Sequence, residues 1–240
     1  MSLLRNKLHL VYIPFTGVGL HSGFRGNAWF KGRIEVFKNY TLKSLANQSD
    51  KDFTIWCSFR REEQTNPYVE QIAEAIKKYK LRFVFTFNGL MYIDDKFVNY
   101  TLKKRFRNFL MMLWDCWRYK QYKGPFEIIR HSWQNKNQTL LSRLKRSLIF
   151  VNYARSTAID WIYMTRLDSD DMLHRDAIKL IKAVTPQENR AILMDKGYVI
   201  NKQTGQVADW QPTTNPPFHT IVFPYEIFFD PKKHLEYYGD

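Results

Sequence analysis

Three aspartates within four residues, Asp168, Asp170 and Asp171, follow closely on the hydrophobic run Trp161-Ile162-Tyr163-Met164. Carboxylates this close repel one another unless a cation or a proton sits among them. As ligands they are hard oxygens, which suit magnesium or manganese, ions that keep several waters and bridge to substrate phosphates. Aspartate is also favoured in the first turn of a helix, and Asp171 and Asp176 fit that plainer role as well. Arg166 stands two residues before Asp168. On a strand both point to the same face, so its guanidinium either neutralises that carboxylate or meets an anionic ligand. Gly17, Gly19, Gly23 and Gly26 match neither a P-loop nor a dinucleotide fingerprint, which leaves a loop rather than a phosphate cradle.

These side chains need a frame, and strands and helices alternate along the chain. Residues 8–13 predict a first strand stopped by Pro14, 52–57 a second, and 82–87 a third ended by Asn88-Gly89. A fourth, 160–164, runs into the acidic cluster; 191–194 is a further strand, and 197–201 with 207–210 form a hairpin around Thr204-Gly205. Helical spacing covers 32–47 through Ile34, Phe37, Leu42 and Leu45. A second helix opens at Asn66-Pro67, with Asn66 as cap and Pro67 in the first turn. Further helices are expected over 102–119, 139–158 and 176–184, with a polar, aromatic insert at 124–138. The alternation predicts an α/β fold with a largely parallel sheet. In such a sheet ligands bind outside the carboxyl ends of the strands, where the acidic cluster falls.

The 240 residues are enough to bury a full core, and 45% are hydrophobic. A formal charge of +14 from 37 basic and 23 acidic side chains predicts an anionic partner. Cys57 and Cys116 each lie in an apolar run, so a disulfide framework is not expected and a reducing, cytoplasmic setting is. No signal peptide is read at the start, and the apolar stretch near 218–229 is too short to span a bilayer. Lys103, Lys104, Arg105 and Arg107 open the helix that carries Phe109, Trp114 and Trp117. Packing on the sheet is its first reading, and peripheral contact with a membrane surface its second.

The segment Arg166-Leu167-Asp168-Ser169-Asp170-Asp171-Met172-Leu173 resembles the DxD region of GT-A-fold glycosyltransferases, closest to the rhamnosyltransferase-like group. Upstream, 37–53 is similar to the helix-then-strand segment of that group, with Ser44-Leu45, Gln48 and Asp52-Phe53 in the matching order. The resemblance implies one GT-A domain over 1–240, a donor half to about 171 and an acceptor half from about 172. It implies a nucleotide-diphosphate sugar as donor, with UDP the first candidate nucleotide, a Mn2+ or Mg2+ ion, and a glycan or other hydroxyl acceptor. Asp170 is then the direct metal ligand, and Asp168 touches the metal through water or holds the donor. Pro14, Phe15 and Thr16 after the first strand, and Ser58 and Arg60 after the second, are expected near the nucleotide. Ser58 replaces an aspartate that in many relatives meets uracil, which leaves the base open. Arg155 and Arg166 are donor-side cations. His219 is a candidate third metal ligand, and Trp210 a stacking surface for an acceptor sugar. For an inverting reaction Asp209 is the first choice of general base, ahead of Glu226 and Asp195.

Two other classes compete. A nucleic-acid-binding protein would use the positive charge and seven tryptophans, but the basic residues are scattered and no zinc, helix-turn-helix or RNP pattern is present. A metal-dependent nucleotidyl or phosphoryl transferase would use the same acidic cluster on a different bond.

Overall fold

The computed structural model describes residues 6–16, 26–87, 140–153, 158–188, 190–201, 203–211 and 218–239, with scattered single positions between 102 and 133. Six strands form the central sheet: β1 (Lys7–Pro14), β2 (Thr54–Ser58), β3 (Arg82–Thr86), β4 (Trp161–Arg166), β5 (Arg190–Leu193) and β8 (His219–Pro224). Their order is β3-β2-β1-β4-β8-β5. The first four are parallel, and β8 runs antiparallel to both β4 and β5. A separate two-stranded sheet pairs β6 (Gly197–Ile200) with β7 (Val207–Trp210).

Both faces of the sheet are covered, which is why its inner strands read as nearly unbroken apolar runs. On one face Val11, Ile13, Ile55 and Cys57 meet Phe30 and Ile34 of α1 (Gly26–Val36), Leu42 and Leu45 of α2 (Leu42–Ala46), and Ile72 and Ile76 of α3 (Pro67–Lys78). On the other, Leu10, Tyr12, Trp56 and Met164 meet Leu144, Leu148 and Val151 of α4 (Leu140–Tyr153) and Phe228 of α6 (Tyr225–Phe229). Helix α5 (Ala177–Ala183) adds Ala177 and Ile178 to the first face, and α7 (Pro231–Gly239) follows α6. The expected fold class holds: α/β, with a mostly parallel Rossmann-like sheet flanked by helices, consistent with the GT-A type.

The expected cap of α3 is present, Tyr68 N donating to Asn66 Oδ1 at 3.0 Å. So is the β6–β7 hairpin. Asn201 Oδ1 accepts from the amides of Gln203 and Thr204 at 2.9 and 3.3 Å, and Gly205 takes φ of +72°, a conformation that suits a residue without Cβ. Two departures matter. The first helix starts at Gly26, earlier than expected, and passes through a π-helical turn at Phe37–Thr41 before α2. The apolar stretch near 218–229 is β8 and α6, and β8 inserts between β4 and β5. Among the described residues no helix is long and apolar enough to cross a membrane.

Candidate active site

The chain builds β1, β2 and β3 outward in one direction and then returns to place β4 on the other side of β1. The loops after β1 and β4 therefore part at a topological switch point, where an open α/β sheet forms its ligand crevice. Tyr12 pairs with Arg166 and Pro14 with Ser58, so the ends of β1, β2 and β4 sit side by side. The amides of Phe15 and Thr16 donate to the Ser58 carbonyl at 3.0 and 3.3 Å, and Leu167 N donates to the Tyr12 carbonyl at 3.0 Å.

The acidic residues form a tight turn beyond β4, closed by Asp171 N donating to the Asp168 carbonyl at 3.1 Å. Ser169 is buried, Asp170 is exposed, and Asp168 and Asp171 are half-buried. Arg166 Nη2 lies 3.5 Å from Asp168 Oδ1, so neutralisation of that carboxylate is the arrangement formed. Arg33, from α1, pairs with Asp170 and lays its guanidinium over the Trp29 ring, 5.2 Å from the centroid. Burial, with the charges of Asp170 and Asp168, pushes the Asp171 carboxyl up to about 6, against the pull of Arg33.

The turn is held from below by the segment that ends the first helix. Leu173 N donates to Ser44 Oγ at 3.2 Å, Gln48 Nε2 donates to the His174 carbonyl at 2.8 Å, and Ile178 N donates to Gln48 Oε1 at 3.1 Å. Ser49 N reaches the Arg175 carbonyl at 2.7 Å, and Lys182 of α5 pairs with Asp50 at 2.9 Å and Asp52 at 3.0 Å. Ser44 and Gln48, which the resemblance singled out, thus hold the segment that follows the acidic turn, and Asp52 pairs with α5 through Lys182.

A second latch joins the loops after β1 and β2. Thr16 Oγ1 donates to Glu63, whose carboxylate also accepts from Arg60 N at 3.0 Å, while Arg60 N reaches Thr16 Oγ1 at 3.2 Å. Glu63 is buried on the short 3-10 turn Arg61–Thr65. Sequence reading missed Glu63 and Arg33 alike. The signal available for Arg33 was its place on the same helix as Ser44, and for Glu63 its spacing three residues after Arg60.

The remaining expected residues scatter. The Phe15 side chain is buried among Phe30, Phe37 and Phe59, so only its backbone faces the loop cluster. Ser58 is fully buried and its hydroxyl has no hydrogen-bond partner among the described residues. His219 opens β8 opposite Leu193, half-buried. Asp209 is exposed on β7 opposite Tyr198, while Trp210 packs near Gly197, whose Cβ position lies 3.7 Å from the indole. Asp195 and Glu226 are exposed. Arg155 and the basic residues 103–105 and 107 lie outside the described residues. Among the described residues no three His, Cys, Asp or Glu side chains converge as a metal-ligand set.

Beside the acidic turn opens a cleft of about 1270 Å³, lined by Trp29, Arg33 and Tyr40 on one side, by Asp170 and Asp171, and by α5, β5 and β6. Asp209 is absent from its lining. No curated protein matches the chain. Residues 25–89, from α1 through β3 and including Arg33, Ser44 and Gln48, match the family described as putative rhamnosyl transferase. That likeness supports a glycosyltransferase as the general activity.

Proposed function

We propose that the protein transfers a sugar from a nucleotide-diphosphate sugar to a hydroxyl acceptor in the manner of GT-A enzymes, with the turn at 168–171 as the anchor for the donor diphosphate. The observation that carries this reading is the placement of the turn. It lies at the switch point between β1 and β4, and it is tied there by Ser44 and Gln48 from the stretch that matches the transferase family.

Two carboxylates on one turn fit a hard divalent ion that completes its shell with waters and phosphate oxygens, so three converging side chains are not required. Asp168 and Asp170 would hold Mn2+ or Mg2+. Bound there, the ion would supply Lewis-acid stabilisation of the departing nucleoside diphosphate. The chain's own contribution is cationic. Arg33 and Arg166 already stand beside the two carboxylates, and either guanidinium suits a diphosphate oxygen once its carboxylate is otherwise engaged. Thr16 and Arg60, latched by Glu63, shape the end of β1 and β2 where nucleoside and ribose would lie.

The reaction read here is a single inverting displacement. The acceptor oxygen bonds to the anomeric carbon. The anomeric carbon–oxygen bond breaks with its electron pair leaving on the nucleoside diphosphate, and the acceptor proton passes to a base or to water. A UDP-sugar is the first donor to try. The test is a panel of nucleotide sugars in a thermal-shift assay with and without Mn2+, followed by product analysis of any hit. A metal-dependent shift with release of a nucleoside diphosphate is expected, and Asp170→Asn is expected to lower turnover at least 100-fold while leaving the melting temperature within a few degrees. Release of inorganic diphosphate or a monophosphate instead would assign the site to nucleotidyl or phosphoryl transfer. Full turnover in Asp170→Asn would remove the turn from the chemistry.

A further inference from the structure

The cleft beside the acidic turn is uneven in its chemistry. Among the described residues its acidic and basic side chains are Arg33, Asp170, Asp171, His174 and Lys196. Between α5 and β5 the lining residues are Ala177, Leu180, Ile181, Val184, Ile192 and Met194, none of which has a side-chain hydrogen-bond donor and only Met194 a weak acceptor. The floor of this wall is core, with Ala177 and Ile181 buried and Ile192 and Met194 packed against them, while its outer part is open: Leu180 is 63% exposed, and Val199 of β6, also in the lining, is 52% exposed. At about 1270 Å³ the cleft exceeds the roughly 300–1,000 Å³ of pockets that take drug-sized ligands. It has room for more than one reacting sugar.

We infer that this cleft receives the acceptor, and that the acceptor carries an apolar body, an alkyl chain or fused hydrocarbon rings, behind the hydroxyl that is glycosylated. The inference rests on the transferase reading of the acidic turn. An oligosaccharide presents hydroxyls on every side, and against the aliphatic wall those groups would lose water without gaining partners. A hydrocarbon body sheds water there at no such cost. The carboxylates and the aliphatic wall belong to one continuous lining. A molecule lying along α5 and β5 would therefore bring its polar end to Asp170 and Asp171, where the donor is placed. Trp29 and Tyr40 on the α1 side suit the face of a sugar or ring next to that end.

Each methylene buried on the wall is expected to tighten acceptor binding by up to about fourfold. Two assays test this on the whole chain. In the first, the neutral probe N-phenyl-1-naphthylamine is titrated onto the parent protein and onto the double variant Leu180→Ser/Val199→Ser, both positions being exposed enough to keep the fold, with circular dichroism as the check. The parent is expected to bind one probe, displaced by dodecyl glucoside and not by methyl glucoside, and the double variant to bind at least 10-fold more weakly. In the second, nucleoside diphosphate release is measured with methyl, octyl and dodecyl glycosides as acceptors. KM is expected to fall at least 10-fold from methyl to octyl in the parent, and most of that gain to vanish in the variant. Turnover with a KM indifferent to chain length overturns this inference alone and leaves the transferase standing. No turnover with any nucleotide sugar, although the probe binds, overturns the transferase reading and the acceptor assignment with it. Self-association that excludes the probe, seen by sedimentation, gives the wall to a second copy of the chain and overturns the inference too.

Discussion

Replacing Gln48 by leucine keeps most of the side chain's bulk and removes its amide. Gln48 is 2% exposed and makes three hydrogen bonds: Nε2 to the Ser44 carbonyl at 3.1 Å and to the His174 carbonyl at 2.8 Å, and Oε1 from Ile178 N at 3.1 Å. The last two cross to the segment that follows the acidic turn. Ile178 lies in the first turn of α5, where an amide has no carbonyl of its own helix to meet. Asp176, at the cap position, makes no side-chain capping bond, so Gln48 satisfies this amide from another element. Leucine would strand the buried Ile178 donor, at about 1–3 kcal/mol, and take one of two hydrogen bonds from the His174 carbonyl, which keeps the Ala177 amide at 2.9 Å, at about 0.5–1.5 kcal/mol. Its extra apolar surface would return about 1 kcal/mol. The expected net loss is about 1–3 kcal/mol, set against the roughly 5–15 kcal/mol that holds a typical domain folded. Urea unfolding followed by far-ultraviolet circular dichroism should show a lower midpoint with an unchanged slope. Mn2+-dependent nucleotide binding should weaken at least 10-fold, because the acidic turn loses its tether. Stability within about 0.5 kcal/mol of the parent would refute the claim that these bonds hold the turn.

Two histidines make a pH signature. Burial lowers His9 to about 3, with Lys182 adding to the effect and Asp50 and Asp52 opposing it, and burial lowers His234 to about 4. Both folded values lie below the unfolded value of 6.5, so the stability they supply is complete above about 6.5 and is lost as pH falls toward 3–4. By pH 5 each should cost about 2 kcal/mol; urea midpoints at pH 7.5 and 5 check this, and a flat profile for the parent would sink it. Asp209→Asn should change turnover less than about threefold, since Asp209 is exposed on β7 and absent from the cleft lining; a loss near 100-fold would restore it as the base. With Mn2+ titrated, Arg33→Met should alter metal affinity, because it frees Asp170 from its ion pair; identical binding isotherms would show that pair to be irrelevant.

The first four strands were legible because they lie on a sheet covered on both faces, with β1, β2 and β4 between neighbours and β3 at the edge, so apolar residues dominate each run. β8 was not. Its polar His219-Thr220 start and the two preceding prolines break the pattern, and its partners β4 and β5 are remote in sequence. Thr220 makes sense only in place: its hydroxyl lies 2.6 Å from Thr165 Oγ1, which in turn is 2.7 Å from His9 Nε2, a buried chain of polar groups across three strands. Asp168 and Asp170 were legible because their spacing is local. Arg33 and Glu63 were not, because each acquires its role only when separate loops are brought together at the ends of β1, β2 and β4.

Two separate stretches of the chain specify the acidic turn. The family match ends at residue 89 and does not reach Asp168, so taken alone it says nothing of the turn. The hydrogen bonds connect the two. Ser44 and Gln48, inside the matched stretch, bind the backbone at Leu173, His174 and Ile178 rather than any side chain there. Backbone contacts fix the path of the segment without dictating its residues, so the matched stretch sets where the turn lies while the turn's own aspartates set what it does. Substitutions in 44–48 should therefore weaken metal and nucleotide binding together with stability. Substitutions at Asp168 or Asp170 should weaken binding alone, since both side chains are nearly half exposed and, among the described residues, their ion pairs are with Arg166 and Arg33. If the two classes of variant gave the same pattern, the turn would be a structural cap and the donor site would have to be sought elsewhere on the sheet edge.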